Sequence, residues 1–360
     1  MKILYVITGL GQGGAERVVC DLADEMYIRG NKVKIAYLVG DVLTMPKYED
    51  IELIKLNLNN VYSLPSAYLK LSKIIRKFLP DIVHAHMVHA NIFTRLVRII
   101  TPIKKLICTA HSANEGGGGR MFLYRITHYL SDLTTNVSEY ASNAYIKKKA
   151  VPENGIITVY NGINFNNFKY DEVSGKKIKE NLHINSNTKI LLAVGRFHNA
   201  KNYPNLLRAF KILKEKSSEP FYLLIAGDGE LRTQLEQLIN DLELVKDVIL
   251  LGRRNDIPAL MSACDIFILS SDYEGLPTVL IEALACEAHV VSTDVSGARE
   301  IIGENFGKIV GIGNPQALAQ AIYEISLTNI SRNSKASIFV KNKFDLDTIA
   351  KKWISIYNEK

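Results

Sequence analysis

Residues 1–17 read MKILYVITGLGQGGAER: an apolar run from Ile3 to Thr8, glycines at positions 9, 11, 13 and 14, and then the start of an apolar-periodic segment from Ala15 to Tyr27. A short buried strand that feeds a helix through bare backbone opens a βαβ unit, and the G-x-G-x-x-G spacing of Gly9, Gly11 and Gly14 lets a phosphate approach the main chain at the helix start. The spacing leaves two readings open. One is a nicotinamide-binding turn, whose acidic partner would be Asp41, somewhat late. The other is a different protein that needs bare backbone near a phosphate.

The alternation continues along the chain. VKIAYLV, DIVHAH and KLICTAH are further strand-like runs, while Ala15, Val18, Val19, Leu22, Ala23 and Met26 keep i, i+3, i+4 spacing until Gly30 stops them. Residues 161–187 loosen into the polar stretch NGINFNNFKYDEVSGKKIKENLHINSN, after which ILLAVG, YLLIAG, VILLG, DIFILS and HVVST restart the series. Strands alternating with helices make parallel sheets covered on both faces. The expected fold class is therefore α/β, with two Rossmann-like domains, 1–163 and 164–344, and a terminal segment 345–360 that returns to the first. Ligands bind beyond the carboxyl ends of such strands, so the expected site is a cleft faced by both sheets.

With 360 residues, 47% hydrophobic and 22% charged, the chain has the composition of an ordinary two-domain protein. Its charge of +7 is uneven: residues 1–170 hold 21 Lys and Arg against 13 Asp and Glu, and the remainder holds 23 against 24. A basic first half suits an anionic neighbour, although solvated surface explains such excess equally well. Cys20, Cys108, Cys264 and Cys286 form no C-x-x-C pair and lie in apolar patterns, which predicts reduced thiols and no zinc site. No stretch approaches ~18 consecutive apolar residues, so the expected location is the cytoplasm, without a membrane span.

In the second half, SSDYEGLPTVLIEALACE holds Glu274 and Glu282 with seven residues between them. Pro277 suits the first turn of a helix, Thr278 and Glu282 share one helix face, and Glu274 precedes exposed backbone amides. Such amides suit phosphate oxygens, and the carboxylates suit sugar hydroxyls. The plainer reading is a structural glutamate held by a buried arginine. Gly195-Arg196-Phe197 ends one strand with Lys201 close behind, so two cations reach one diphosphate. Gly227-Asp228-Gly229-Glu230 ends the next strand in a tight turn. Each piece alone is weak; their order at successive strand ends is specific.

With these residues in place, the sequence resembles the retaining GT-B glycosyltransferases of family 4, many of which build bacterial O-antigen, capsule and exopolysaccharide. GGAER at 13–17, TAH at 109–111, NGI at 161–163, GRF with Lys201, GDGE, and the Glu274/Glu282 pair carry the likeness across nearly the whole chain. It implies a nucleotide-sugar donor, UDP- or GDP-linked, no further cofactor and no metal. Glu274 would contact the donor sugar, Glu282 the ribose, and Arg196 and Lys201 the diphosphate, with Gly195, Gly229, Gly275, Leu276, Pro277 and Thr278 lining the donor site. His111 would meet the sugar from the other domain, where the Gly13-Gly14 loop closes on phosphate. Gln12, His86 and Asn161 are the expected acceptor or cleft residues, and Arg253 lies beside the base. The implied chemistry is front-face transfer with retention and no covalent intermediate. A nicotinamide enzyme gives no reason for the second sheet's cations and glutamates.

Other stretches admit further readings. His84, His86 and His89 invite a metal, but His84 and His86 alternate along a strand. Asp345-Leu346-Asp347 reads as carboxylates near a helix start rather than a metal-binding D-x-D. SAYLKLSKIIRKFL at 66–79 sets Leu71, Ile74, Ile75 and Phe78 beside Lys70, Lys73 and Lys77, which fits either a sheet-packed helix or one lying on an anionic inner leaflet near a lipid-linked acceptor. A sugar-nucleotide epimerase shares the architecture. A nucleic-acid binder would need an aromatic platform or recognition helix that the sequence lacks.

Overall fold

Short runs, most of them apolar, form the strands, and contacts among strands and helices divide the chain into two units. The computed structural model describes all residues except Gln12, Asn114, Glu115, Ser186, 329–331 and Lys360. Unit 1 comprises Met1–Gly162 and Leu346–Lys360, and unit 2 comprises Ile163–Asp345.

The strands of unit 1 are β1 (Lys2–Ile7), β2 (Lys32–Tyr37), β3 (Glu52–Lys55), β4 (Ile82–His86), β5 (Leu106–Ala110), β6 (Leu133–Asn136) and β7 (Ile157–Thr158). Its first helices are α1 (Gly14–Ile28), α2 (Leu64–Phe78), α3 (Val88–Val97), α4 (Gly117–Thr127) and α5 (Glu139–Lys147). The sheet runs β3-β2-β1-β4-β5-β6-β7, with every pairing parallel. β1, β4 and β5 are buried along almost their whole length, which is why they read as continuous apolar runs. The sequence pattern missed β6, because LTTN resembles a turn, and β7, which is only two residues long.

Unit 2 repeats the plan. Its elements are α6 (Glu172–Asn181), β8 (Lys189–Val194), α7 (Tyr203–Lys216), β9 (Phe221–Ala226), α8 (Arg232–Asp241), β10 (Val248–Gly252) and α9 (Ile257–Ala263). They continue with β11 (Ile266–Leu269), α10 (Thr278–Ala285), β12 (His289–Thr293), α11 (Ala298–Ile302), β13 (Gly307–Val310), α12 (Pro315–Ser326) and α13 (Ser334–Phe344). The sheet order is β10-β9-β8-β11-β12-β13, again parallel. Strand order reverses between β1 and β4 in unit 1 and between β8 and β11 in unit 2, and the carboxyl ends flanking such a reversal are where doubly wound sheets hold ligands.

The last helix, α14 (Leu346–Asn358), belongs to unit 1. Its Ile349, Ala350, Trp353, Ile356 and Tyr357 join the core formed by Ile3, Tyr5 and Ile7 of β1 and Val19 and Leu22 of α1. Gly162 permits this approach, since a Cβ there would lie 2.8 Å from the Leu346 Cα. The two aspartates flanking Leu346 do not form a pair of ligands: Asp345 follows α13, while Asp347 binds Arg29 and Lys351. The basic helix α2 uses its apolar side internally, with Ala67, Leu71 and Ile75 buried and Ile74 and Phe78 packed against the same core. Among the described residues no helix is long and apolar enough to cross a membrane.

Candidate functional site

In unit 2 the β8 and β11 ends meet through Lys201 and Glu274. Lys201 Nζ donates to Glu274 Oε1 at 2.7 Å, and Ser271 Oγ donates to the same oxygen at 2.7 Å. Both charged side chains are largely covered, 20% and 16% exposed, so each depends on the other to offset its lost hydration. Supporting bonds fix the loops: Ser270 Oγ to the Lys201 carbonyl at 2.8 Å, Thr293 Oγ1 to the Ser271 carbonyl at 2.6 Å, and Asn202 Nδ2 to Asp272 at 2.6 Å. Tyr203 donates to the Gly195 carbonyl at 3.0 Å. Ser271 is a residue the sequence reading missed, although it stands only three places before Glu274.

The turns after β8 and β9 are packed backbone on backbone. A Cβ on Gly227 would fall 1.9 Å from the Gly195 carbonyl oxygen, and one on Gly229 would fall 2.5 Å from that of Phe197. These glycines are demanded by the fold of unit 2 itself. Arg196 projects from this turn, 65% exposed, and pairs with Glu230 at 3.2 Å.

Beyond Glu274 the chain passes Gly275, whose carbonyl accepts from Ser296 Oγ at 2.8 Å, and the buried Leu276. Pro277 is the N-cap of α10, one place before the expected first turn, and no side chain caps the helix. The amides after Thr278 therefore present a positive helix end. Glu282 is half-buried on α10, one turn after Thr278. Arg253 is exposed after β10, whereas its neighbour Arg254 is tied to Asp256.

In unit 1 the corresponding strand ends carry histidines. Period-2 alternation and the pairing of His86 with Thr109 put His84 and His86 of β4 on one face with Thr109 of β5, and His111 follows directly after that strand. His84 is fully buried: Nδ1 shares a hydrogen bond with the Tyr357 hydroxyl at 2.7 Å and Nε2 one with Thr109 Oγ1 at 2.6 Å. The chain of hydroxyls extends to Tyr5, 3.2 Å from Tyr357, and to Thr135, 2.7 Å from Thr109. His86 Nδ1 lies 3.0 Å from His111 Nε2. Burial holds the pKa values of His84 and His86 well below the usual histidine range and lowers that of His111 to about 4.

Two residues expected in the cleft are largely covered. His86 is 1% exposed and stands directly opposite Thr109 in the register of β4 and β5. Asn161 is 7% exposed and lines, with His86, His111 and Trp353, a cavity of about 10 Å³. The metal reading also loses its ligands, because both nitrogens of His84 are engaged and His89 lies on α3; among the described residues no group of three His, Cys, Asp or Glu is placed to hold an ion.

Gly13 caps α1 with φ −137°, and Gly14 begins it. A Cβ on Gly14 would meet nothing within 4 Å, and one on Gly13 would meet only the Glu16 carboxylate. The fold of unit 1 does not require bareness at Gly14. Gln12 lies outside the described residues.

Comparison with known proteins adds to this geometry. Residues 12–167 match the family model described as Glycosyltransferase Family 4, and residues 174–342 match that of Glycosyl transferases group 1. The chain is 29% identical over 341 residues to the N-acetylgalactosamine-N,N'-diacetylbacillosaminyl-diphospho-undecaprenol 4-alpha-N-acetylgalactosaminyltransferase of Campylobacter jejuni, covering 89% of both chains. Among solved structures, a glycosyltransferase from Rickettsia africae is 26% identical with TM-score 0.86, covering 99% of this chain and 97% of that one. Anabaena HepE, solved with UDP and glucose, is 20% identical with TM-score 0.85, covering 99% of each chain, a likeness of fold.

Proposed function

The chain belongs to the family 4 glycosyltransferases of GT-B fold, and from that premise we propose that it moves a hexose from a nucleoside-diphosphate sugar, UDP- or GDP-linked, to a lipid-linked saccharide, with retention and without a divalent metal. The Lys201–Glu274 pair beside the uncapped start of α10 carries this reading. The C. jejuni relative is named for transfer to an undecaprenol-linked diphosphate saccharide, which supports the acceptor class.

In this scheme Arg196, Lys201 and the amides at Gly275, Leu276 and Thr278 meet the departing diphosphate. Donors preorganised for developing charge are typically worth ~3 kcal/mol each. Glu274 holds sugar hydroxyls and Glu282 the ribose, while Arg253 lies toward the base. Gly195 and Gly229 supply backbone close to the nucleotide. Unit 1 contributes the Gly13-Gly14 backbone toward phosphate and His111 toward the sugar. The bond from the anomeric carbon to phosphate breaks and the bond to the acceptor oxygen forms on the same face, with the acceptor proton passing to the leaving diphosphate. Incubation with nucleotide sugars and a polyprenyl-diphosphate saccharide in EDTA tests the scheme. Product of retained configuration is expected; an inverted product, or dependence on added magnesium, overturns it.

The membrane contact expected of residues 66–79 moves to α4, because α2 has spent its apolar face on the core. Phe122 and Ile126 on α4, with Tyr129 after it, recur at helical spacing and are 59%, 45% and 78% exposed. Arg125, Lys148 and Lys149 join Met121 and Phe122 around an adjoining groove of about 460 Å³. An exposed apolar stripe rimmed by cations suits the cytoplasmic face of an anionic bilayer, each base adding ~1 kcal/mol. Cosedimentation with phosphatidylglycerol vesicles should fall in a Phe122→Ser/Ile126→Ser variant, and equal binding to neutral vesicles would refute the assignment.

A further inference from the structure

Alternation along β4 breaks at its end. Ile82, His84 and His86 point to the face that holds Tyr5 and Trp353, while Val83 and Ala85 point to the opposite core, with residues of α2 and α3. Met87 comes next and by period 2 should join Val83 and Ala85. It packs instead against the core of Tyr5 and Trp353. The backbone gives the reason, because φ 72° and ψ 154° at Met87 carry its Cβ across to the face of the histidines. Leu79 and Asn202 also have positive φ, but their ψ values of 59° and 48° lie in the left-handed helical well. The conformation of Met87 is all but reserved for glycine.

The peptide groups on either side of it are held. Met87 N–H donates to the Thr109 carbonyl at 3.0 Å, and the Met87 carbonyl accepts from the Asn91 amide at 2.9 Å. The buried Asn91 side chain donates to the same Thr109 carbonyl at 2.9 Å, so β4, β5 and α3 fix the torsions together. Glycine would adopt them freely. The chain sets there a long apolar side chain, partly exposed, where the strand order of unit 1 reverses. Packing needs no such device, since Val83 and Ala85 fill their core from a relaxed strand, and backbone strain retained beside a ligand site is a mark of function.

We infer that Met87 is a specificity-determining residue, its thioether turned beside the histidine row to cover an apolar part of the acceptor sugar, a ring C–H face or an acetamido methyl. This rests on the reading of the chain as a transferase whose lipid-linked acceptor approaches unit 1, the unit that carries the exposed stripe of α4. Of the other groups at these strand ends, the glycine loop is assigned to phosphate and His111 to the donor sugar. A thioether gives no hydrogen bond and accepts only weakly, so it suits neither task. It is polarisable and long enough to lie along a methyl or C–H surface.

Melting and kinetics of Met87→Gly, Met87→Ala and Met87→Leu test this. Gly and Ala both remove the side chain, but only Gly relieves the backbone, so Met87→Gly should melt above Met87→Ala, the reverse of the order at an unstrained position. An alanine variant that melts as high as the glycine one removes the strain and overturns the inference. Initial rates are then measured with two polyprenyl-diphosphate saccharides whose terminal sugars differ only in a 2-acetamido or a 2-hydroxyl group. Met87→Ala and Met87→Gly should raise the acceptor KM about tenfold, the worth of a lost apolar contact, with donor KM and donor hydrolysis in the absence of acceptor unchanged. Met87→Leu should stay within about threefold of the parent. A rise confined to the acetamido acceptor identifies the methyl as the group covered, and a rise with both identifies the ring face. An unchanged acceptor KM, or donor and acceptor KM rising together, shows a residue that only packs and overturns the inference. Absence of transfer by the parent to either acceptor is a different result: it sinks the transferase reading and the inference with it, while the order of melting still reports the strain.

Discussion

Toward the carboxyl ends of its strands unit 1 sets neutral rings, His84, His86 and His111, whereas unit 2 sets the charged Arg196, Lys201 and Glu274, with Glu282 on α10, whose start no side chain caps. Both rows stand where a parallel sheet reverses its strand order, so topology does not distinguish them. Their materials do. An imidazole can enter a dry interior by giving up its proton, so His84 and His86 are buried completely. Lysine and glutamate keep their charges only as a pair, and Lys201 and Glu274 accordingly retain some exposure. Unit 2 is thereby suited to a phosphate-bearing ligand, and unit 1 to hydroxyls.

Acid should separate the units most. Burial lowers the pKa of His84, His86 and His111. Above pH ~6.5 neither folded nor unfolded chain protonates them, and their contribution to stability is fully present. Below that the unfolded chain takes up protons that the folded one refuses, so stability falls toward about pH 4, where His111 itself titrates. The loss is on the order of 1.4 kcal/mol per pH unit for each histidine. Glu16 and Asp24, raised by burial, pull the other way in the carboxylate range. Hydrogen exchange corrected for intrinsic rates, at pH 7.5 and 5.5, should show β1, β4 and β5 opening more readily while β8 and β9 hardly change. Equal loss in both units would break the contrast.

The next effect lies in unit 2. Lys201→Ala should lower kcat by about 10²-fold, or ~3 kcal/mol of transition-state stabilisation, and more than His111→Ala does. A larger loss at His111 would move the charge-bearing work into unit 1.

How far the sequence foretold this contrast depended on whether a signal was local. Glycine turns after apolar runs marked β1, β8 and β9, and the spacing of Glu274 and Glu282 pointed to the unit 2 site, because each cue lies within a few residues of its partner. The expected joint at 163/164 and the observed one at 162/163 differ by one residue, since the polar stretch after NGI is long and distinctive. What the pattern could not reveal were pairings across hundreds of residues. Tyr357 reaches His84 from 273 positions away, and nothing in DIVHAH distinguishes a buried histidine from one lining a cleft. For α2, amphipathicity was visible but not its object, since a sheet and a bilayer ask for the same stripe.

Glycines sharpen the comparison at moderate cost. Gly227→Ala should destabilise by about 1–3 kcal/mol, the range for forced overpacking, because its Cβ collides with backbone that cannot yield. Gly14→Ala meets open space at the start of a helix, so stability should hold or rise by up to about 1 kcal/mol. Its expected effect is on turnover alone. Thermal unfolding and steady-state rates measured on both variants check this, and a destabilised Gly14→Ala would show that unit 1 needs its bare backbone for folding after all.

The smallest effect belongs to the exposed pair of unit 2. Arg196 and Glu230 are 65% and 47% exposed and meet at 3.2 Å, without the covering that makes Lys201 and Glu274 depend on each other. Glu230→Gln should therefore leave the melting temperature almost unmoved. Releasing Arg196 should nonetheless tighten the grip on a diphosphate. A fall of about twofold in donor KM at low salt, fading as ionic strength shortens the reach of the charge, is the expected result. A salt-independent change would mean that Glu230 shapes the turn after β9 through its packing, and Arg196 would then lose its assignment as a cation held ready for phosphate.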